Sequence, residues 1–271
     1  MAERSYESIP WSLPELSHAY GPRVHLLADP LLIGRLARLC EASCVQPEFN
    51  YGIADLYRAL GHAALNTLLP RAPVEVLTRM DAVTPGAAWR GEVIARDTPA
   101  VTVNIARAGT LPSHTLFELL NQTVAPEGVR QDHMVMERET DEAGRVVGVS
   151  VHGSKIGGGV DGAYVFFPDP MAATGGSLSR AVSIYKEQVE GTPARFVALH
   201  LIVTPEYLRR VTSDHPDLEI FALRLDRGMS PPEILETPLG SRWEEERGLN
   251  EIQYIVPGGG GFGELMNNAF V

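Results

Sequence analysis

A run of small residues, Asp169-Pro170-Met171-Ala172-Ala173-Thr174-Gly175-Gly176-Ser177, follows the apolar stretch Ala163 to Phe167 and precedes a segment with helical spacing, Leu178 to Val189. The apolar stretch reads as a buried strand, and the run as the loop that carries the chain into a helix. Small side chains leave backbone N–H groups open to an anion, and the helix adds the positive end of its dipole. Ala173, Thr174, Gly175, Gly176 and Ser177 are therefore a candidate cradle for one phosphate. No lysine follows Gly176, which separates the run from the common nucleoside-triphosphate loop. Asp169, at the strand end, is placed to accept hydrogen bonds from ribose hydroxyls or to hold Mg2+ through water. A tight turn with an aspartate cap is the plain structural alternative, and the residues alone leave both open.

The elements around this loop alternate. Asp29-Pro30 is an N-cap and first-turn pair for a helix over Leu31 to Ala42. Leu56, Leu60, Ala64 and Leu68 predict a second helix from Ile53 to Leu69. Val74 to Leu77 and Ala100 to Ile105 are β-prone, and the second runs through Arg107-Ala108-Gly109 into a helix across His114 to Gln122. Alternation at Met134 and Met136, then at Val147, Val149 and Val151, with a turn at Asp141 to Gly144, predicts a hairpin. Arg195 to Val203 and Leu218 to Leu225 are further strands, separated by a short helix that Thr204-Pro205 opens. Strand and helix in turn imply an α/β fold with a mostly parallel sheet flanked by helices. Residues 1–28 read as an N-terminal arm, 29–271 as a single domain, and 229–247 as an exposed insertion within it.

The chain has 271 residues, and a net charge of -11 argues against a nucleic-acid partner. Cys40 and Cys44 read as two thiols rather than a metal site, and so small a cysteine count fits a reducing compartment. The start MAERSYESIPW lacks an apolar signal core, and the most apolar run, Phe196 to Val203, is too short to span a membrane. The expectation is a cytoplasmic protein with no membrane partner.

The loop at Asp169 resembles the phosphoribosyl-pyrophosphate loop of uracil phosphoribosyltransferases, usually DPMLATGGS. The run Tyr254-Ile255-Val256-Pro257-Gly258-Gly259-Gly260-Gly261-Phe262-Gly263-Glu264 resembles that family's YIVPGxGDxGD, and Arg107-Ala108-Gly109 its RAG loop. The similarity extends from about Asp29 to Phe270. It implies a type I phosphoribosyltransferase fold, with a hood over the sheet and a β-hairpin arm. It also implies the reaction: phosphoribosyl transfer from phosphoribosyl pyrophosphate to uracil or a related pyrimidine-like base, as in pyrimidine salvage, giving UMP and pyrophosphate. Asp169 would hold the ribose, with Met171 beside it, and Ala173 to Ser177 the 5′-phosphate. Arg107, Ala108 and Gly109 would hold pyrophosphate, with Arg138 and Lys155 covering it. Tyr254, Ile255, Gly260, Gly261 and Phe262 would form the base pocket. Asp169 and Arg107 would be the catalytic pair. Mg2+ would be held by substrate and water rather than by direct protein ligands. The family also implies a homodimer or larger homo-oligomer.

The departures fall mainly in the base loop. Gly261 stands where the family has the first Asp of GDxGD, Glu264 where it has the second, and Leu265 where an Arg follows. Glu137 replaces a tyrosine, and Pro168 an apolar residue. A different heterocyclic acceptor, or a catalytically degenerate nucleotide-binding homologue, would accommodate these changes. Gly157, Gly159 and Gly162 fit GxGxxG but precede a strand, so they read as a loop. His114, His133, His152 and His200 are scattered and read as structural, with His200 inside a core strand. Glu244 to Glu246 read as a solvated face.

Overall fold

The computed structural model describes residues 5–140 and 146–269. In chain order the elements begin with β1 (Val24–Leu26), α1 (Pro30–Leu39), α2 (Glu48–Leu68), β2 (Arg71–Leu77), β3 (Ala88–Ile94) and β4 (Ala100–Ala106). They continue with α3 (Thr110–Thr123), β5 (Val129–Thr140), β6 (Val146–Lys155), β7 (Tyr164–Pro168), β8 (Met171–Ala172) and α4 (Gly176–Gln188). The last are β9 (Arg195–Val203), α5 (Pro205–Asp214), β10 (Glu219–Leu225), α6 (Pro232–Leu235) and α7 (Phe262–Asn267).

The central strands AVTVNIA, YVFFP and RFVALHLIV are nearly continuous apolar runs, as strands covered on both faces must be. They build the sheet β1-β10-β9-β7-β4-β5-β6, with β8 pairing to β9. Every pairing in it is parallel except β5 with β6. Because side chains alternate along a strand, Phe166 joins the core on one face, while Val165 and Phe167 join the other. The first face carries α1, α2 and α3, through Leu36, Ile53, Leu60, Leu116 and Leu120. The second carries α4 and α5, through Leu178, Ala181, Val182, Tyr207 and Leu208. Each fully buried leucine, isoleucine or valine among these contributes roughly 1.5–3 kcal/mol. Asp29 Oδ1 caps α1 through the N–H groups of Leu31 and Leu32, at 3.0 and 3.1 Å. Among the described residues no helix is long and apolar enough to cross a membrane.

Three regions differ from the sequence expectation. The segment read as an arm is not loose at its end: β1 pairs in parallel with β10, and Tyr20, Val24, Leu26 and Leu27 are buried. A three-residue edge strand is too short to show a period. The β-prone stretch at Val74 is half of a separate antiparallel ribbon, β2–β3. The segment 229–247 is anchored rather than exposed throughout, with Ser230, Ile234 and Glu246 buried. Glu246 is 0% exposed. It accepts hydrogen bonds from Tyr20 Oη at 2.5 Å, Arg227 Nη1 at 2.6 Å and the Gly240 N–H at 2.9 Å. The solvated face expected at Glu244 to Glu246 therefore holds for the first two alone. A glutamate is buried only when its charge is met, and one of the partners, Tyr20, comes from the other end of the chain. The turn predicted at Asp141 to Gly144 lies outside the described residues.

Candidate functional site

β4 and β7 are neighbours, with Ala100 opposite Tyr164 and Thr102 opposite Phe166. From the carboxyl end of β4 the chain turns to α3 on one face, and from that of β7 to α4 on the other. Two loops that diverge from adjacent parallel strands leave a crevice between them, where open α/β sheets hold their ligands. Its walls are Arg107-Ala108-Gly109 and Asp169 to Ser177. They touch: a Cβ on Gly109 would lie 3.1 Å from the Pro168 carbonyl oxygen and 2.8 Å from backbone atoms of Ile105. Only glycine allows that approach.

The loop after β7 has the form of an anion cradle. Gly175 adopts φ 78°, which turns the chain into α4. The backbone N–H groups of Thr174, Gly175, Gly176 and Ser177 have no acceptor among the described residues. They lie at the positive end of a 13-residue helix. The far side of the loop is fixed by Thr204, whose hydroxyl donates to the Ala173 carbonyl at 2.6 Å and caps α5 by accepting from the Tyr207 N–H at 3.0 Å.

Asp169 is held from behind by groups that the sequence did not single out as functional. Its N–H donates to the Leu199 carbonyl at 3.1 Å. Its carbonyl lies 2.6 Å from His200 Nδ1, and His200 Nε2 lies 2.6 Å from Tyr207 Oη. A carbonyl only accepts, so Nδ1 carries the proton and Tyr207 donates to Nε2. Complete burial drives the His200 pKa down to about 4, against a smaller opposing effect of the Asp169 carbonyl, so the ring is neutral at pH 7. Tyr207 also packs on Gly175, whose Cβ would come within 3.3 Å of its ring. One His–Tyr pair thus braces both ends of the loop. The sequence marked His200 as a core residue, which it is; its partner lies seven positions away on another element.

The C-terminal loop is secured differently. Arg224 donates to Asp226 through Nε at 2.7 Å and Nη2 at 2.8 Å. The pair then clamps Gly258: Asp226 Oδ2 accepts its N–H at 2.8 Å and Arg224 Nη2 donates to its carbonyl at 2.8 Å. Gly258 and Gly260 have φ of 58° and 81°, and a Cβ on Gly260 would meet open space. The loop reaches the crevice at Gly263, where a Cβ would lie 3.4 Å from Ala108 Cβ. Gln46 and Asn50 donate to the carbonyls of Leu265 and Met266, which ties α7 to α2.

The expected site residues divide into groups. Ala108, Gly109, Asp169, Ala173, Thr174, Gly175, Gly176 and Ser177 lie on the two crevice loops. Met171 sits in β8 against Ile202. Arg107 is exposed, and its Nη1 donates to the Ala269 carbonyl at 3.2 Å. Lys155 pairs with His133, two positions back from Val135, which lies level with the end of β4 at Ala106. Its side chain is exposed, and among the described residues no contact brings it to the crevice loops. Arg138 is opposite Val149 in the hairpin beyond the sheet edge, and its side chain lies outside the described residues. Glu137 pairs with His152 Nε2 at 2.9 Å. Tyr254 is 49% exposed at the loop's rim, and Ile255 is buried. The Phe262 ring is buried edge-on against Phe49, 5.0 Å between centroids. An apolar ring that starts a short helix is drawn into the core, so only its backbone faces the loop. Arg224 and Asp226 were missed, because an i, i+2 pair at a strand end carries no periodic signal.

Comparison with known proteins gives consistent findings. The family model described as uracil phosphoribosyltransferase matches residues 26–240. The uracil phosphoribosyltransferase of Pyrobaculum arsenaticum is 32% identical over 231 residues, 84% of this chain and 91% of that protein. The one of Mycoplasma mycoides is 27% identical over 88% of this chain and 95% of its own length. A solved protein from Aquifex aeolicus superposes with a TM-score of 0.68 at 23% identity, covering 92% of this chain and 99% of that one.

Proposed function

Since the chain belongs to the uracil phosphoribosyltransferase family, we propose that it transfers a phosphoribosyl group from phosphoribosyl pyrophosphate to uracil, giving UMP and pyrophosphate. The observation that carries the reading is the crevice between β4 and β7, with an open N–H cradle on one wall and Arg107 on the other. In this reading the N–H groups of Thr174 to Ser177, with Ala173, hold the 5′-phosphate. The Asp169 carboxylate accepts from the ribose hydroxyls, and Met171 closes that side. Arg107 and the backbone of Ala108 and Gly109 hold pyrophosphate, with Arg138 and Lys155 covering it from the hairpin. Tyr254, Ile255, Gly260, Gly261 and Phe262 present backbone N–H and C=O groups to the base.

A ring nitrogen of the base forms a bond to ribose C1, the bond from C1 to the pyrophosphate oxygen breaks, and its electron pair leaves with pyrophosphate. The nitrogen loses its proton to solvent. The protein's contribution is to align the two reactants and to meet the leaving charge with Arg107 and fixed N–H groups. Among the described residues there is no cluster of three acidic, histidine or cysteine ligands. The half-buried Asp169 carboxylate fits Mg2+ carried on the substrate, held through water. Bound so, Mg2+ would offset pyrophosphate charge. The same reading makes the chain a cytoplasmic enzyme that works as a homodimer or larger assembly.

Incubation with phosphoribosyl pyrophosphate, Mg2+ and a panel of bases tests this, with the nucleotide product identified by chromatography. UMP from uracil is the expected product. The changes at Gly261, Glu264 and Leu265 favour one second reading, a different heterocyclic acceptor, and a product from another base alone would establish it. No product with any base would overturn both.

A further inference from the structure

The acceptor loop has lost one carboxylate and lengthened another. The family motif carries acids at both positions, whereas this chain has Gly261 at the first and glutamate, one methylene longer than aspartate, at the second. The structure brings the two changes to one place. A Cβ on Gly261 would fall 2.1 Å from Glu264 Oε2 and 2.8 Å from its Cδ. The Glu264 carboxylate is therefore folded back over Gly261 Cα, in the space where a side chain at 261 would begin.

The fold makes this return easy. Gly261 is the N-cap of α7 and Glu264 lies in its first turn, a spacing at which a glutamate reaches back over the cap. The backbone at Gly261, φ -82°, is open to any residue, and a side chain there would displace only the end of Glu264, so the two side chains compete for one place. The carboxylate is half-buried, and it makes no hydrogen bond or ion pair among the described residues. The turn that carries it lies against the Arg107–Gly109 wall, through Gly263 and Ala108. An acid that gains nothing from the protein, at the junction of acceptor loop and crevice, is free to meet a donor on the ligand.

We propose that Glu264 is the acidic specificity residue of the acceptor loop: from position 264 it fills the place vacated at 261 and accepts a hydrogen bond from a ring N–H of the acceptor base. This rests on the acceptor binding at that loop, as in the proposed reaction. A base with no N–H facing Glu264 leaves the carboxylate unpaired and is rejected.

Two experiments test it. The first is steady-state kinetics of Glu264→Gln, which keeps the size and removes the charge. The KM for uracil rises about tenfold, the expected weight of a charged hydrogen bond, while the KM for phosphoribosyl pyrophosphate and the melting temperature stay put. In Glu264→Ala, adding Gly261→Asp restores part of the lost uracil affinity. An unchanged KM for uracil in Glu264→Gln would overturn the specificity role. The second needs no turnover. Gly261→Ala pushes the Glu264 carboxylate from its place and weakens UMP binding to the wild-type protein, and it leaves UMP binding to Glu264→Ala nearly unchanged. An equal loss in both backgrounds would contradict the shared space. Should wild type convert no base, the proposed reaction fails, and product binding decides the inference: UMP then binds Glu264→Gln more weakly than wild type, and equal binding overturns it.

Discussion

The proposed phosphate cradle and the proposed acceptor loop lie on the same crevice but are held by different means. The cradle's supports are buried in the sheet: His200 and Tyr207 brace Asp169 and Gly175, and Thr204 braces Ala173. The C-terminal loop is clamped at Gly258 by the Arg224–Asp226 pair, turns on glycines of positive φ, and is tied down again only in α7. The cradle's supports belong to the core of the sheet, whereas the stretch from Gly259 to Gly261 carries no such support among the described residues. Chemistry common to a family can stay in the first region while acceptor choice drifts in the second.

The largest expected effect is in the cradle. Asp169→Asn lowers turnover about 10²–10³-fold in steady-state assays, the usual cost of removing one positioned polar group, without loss of the fold. A fall of that size from an acceptor-loop variant such as Tyr254→Phe, with Asp169→Asn near wild type, would invert the contrast.

The next effect depends on pH. Burial pushes His200 down to about 4 in the folded protein, from its ordinary value near 6.5, so the unfolded chain binds the extra proton between those values. This stability is complete above pH 6.5 and falls by about 3 kcal/mol as pH drops to 4. Urea melts of wild type and His200→Gln across that window should diverge above pH 6.5 and converge below it. Parallel curves would mean that His200 does not carry the brace.

Asp226→Asn comes third. It leaves the part-buried Arg224 with a weaker partner, costs about 2 kcal/mol in chemical denaturation, and raises the KM for the base more than that for phosphoribosyl pyrophosphate. Equal rises would show that the loop and the cradle are not separable. Smallest is Thr204→Ala, which removes the cap of α5 and the donor to Ala173 at a cost of about 1 kcal/mol in thermal melts.

The contrast also explains what the sequence conveyed. β4, β7, β9 and β10 were visible as apolar runs, because strands buried on both faces cannot alternate. The turn from β7 into α4 was visible because small residues between a strand and a helix have a local physical reason to be there. β1 and β3 were not: one is three residues long, and the other alternates with arginine and glycine on an isolated ribbon. The bonds His200–Asp169, Tyr20–Glu246 and Gln46–Leu265 join residues 31 to 226 positions apart, and no local pattern announces such partners. The contact of Phe262 with Phe49 is of the same kind, since it joins the two ends of the chain.

The most direct test of the central claim is calorimetric titration of phosphoribosyl pyrophosphate with Mg2+ into wild type, Asp169→Asn and Arg107→Ala. The account predicts saturable one-site binding to wild type and a loss of roughly tenfold or more in each variant, as expected for charged hydrogen bonds. Absence of wild-type binding, or binding indifferent to both substitutions, would contradict the assignment of the β4–β7 crevice as the phosphoribosyl site.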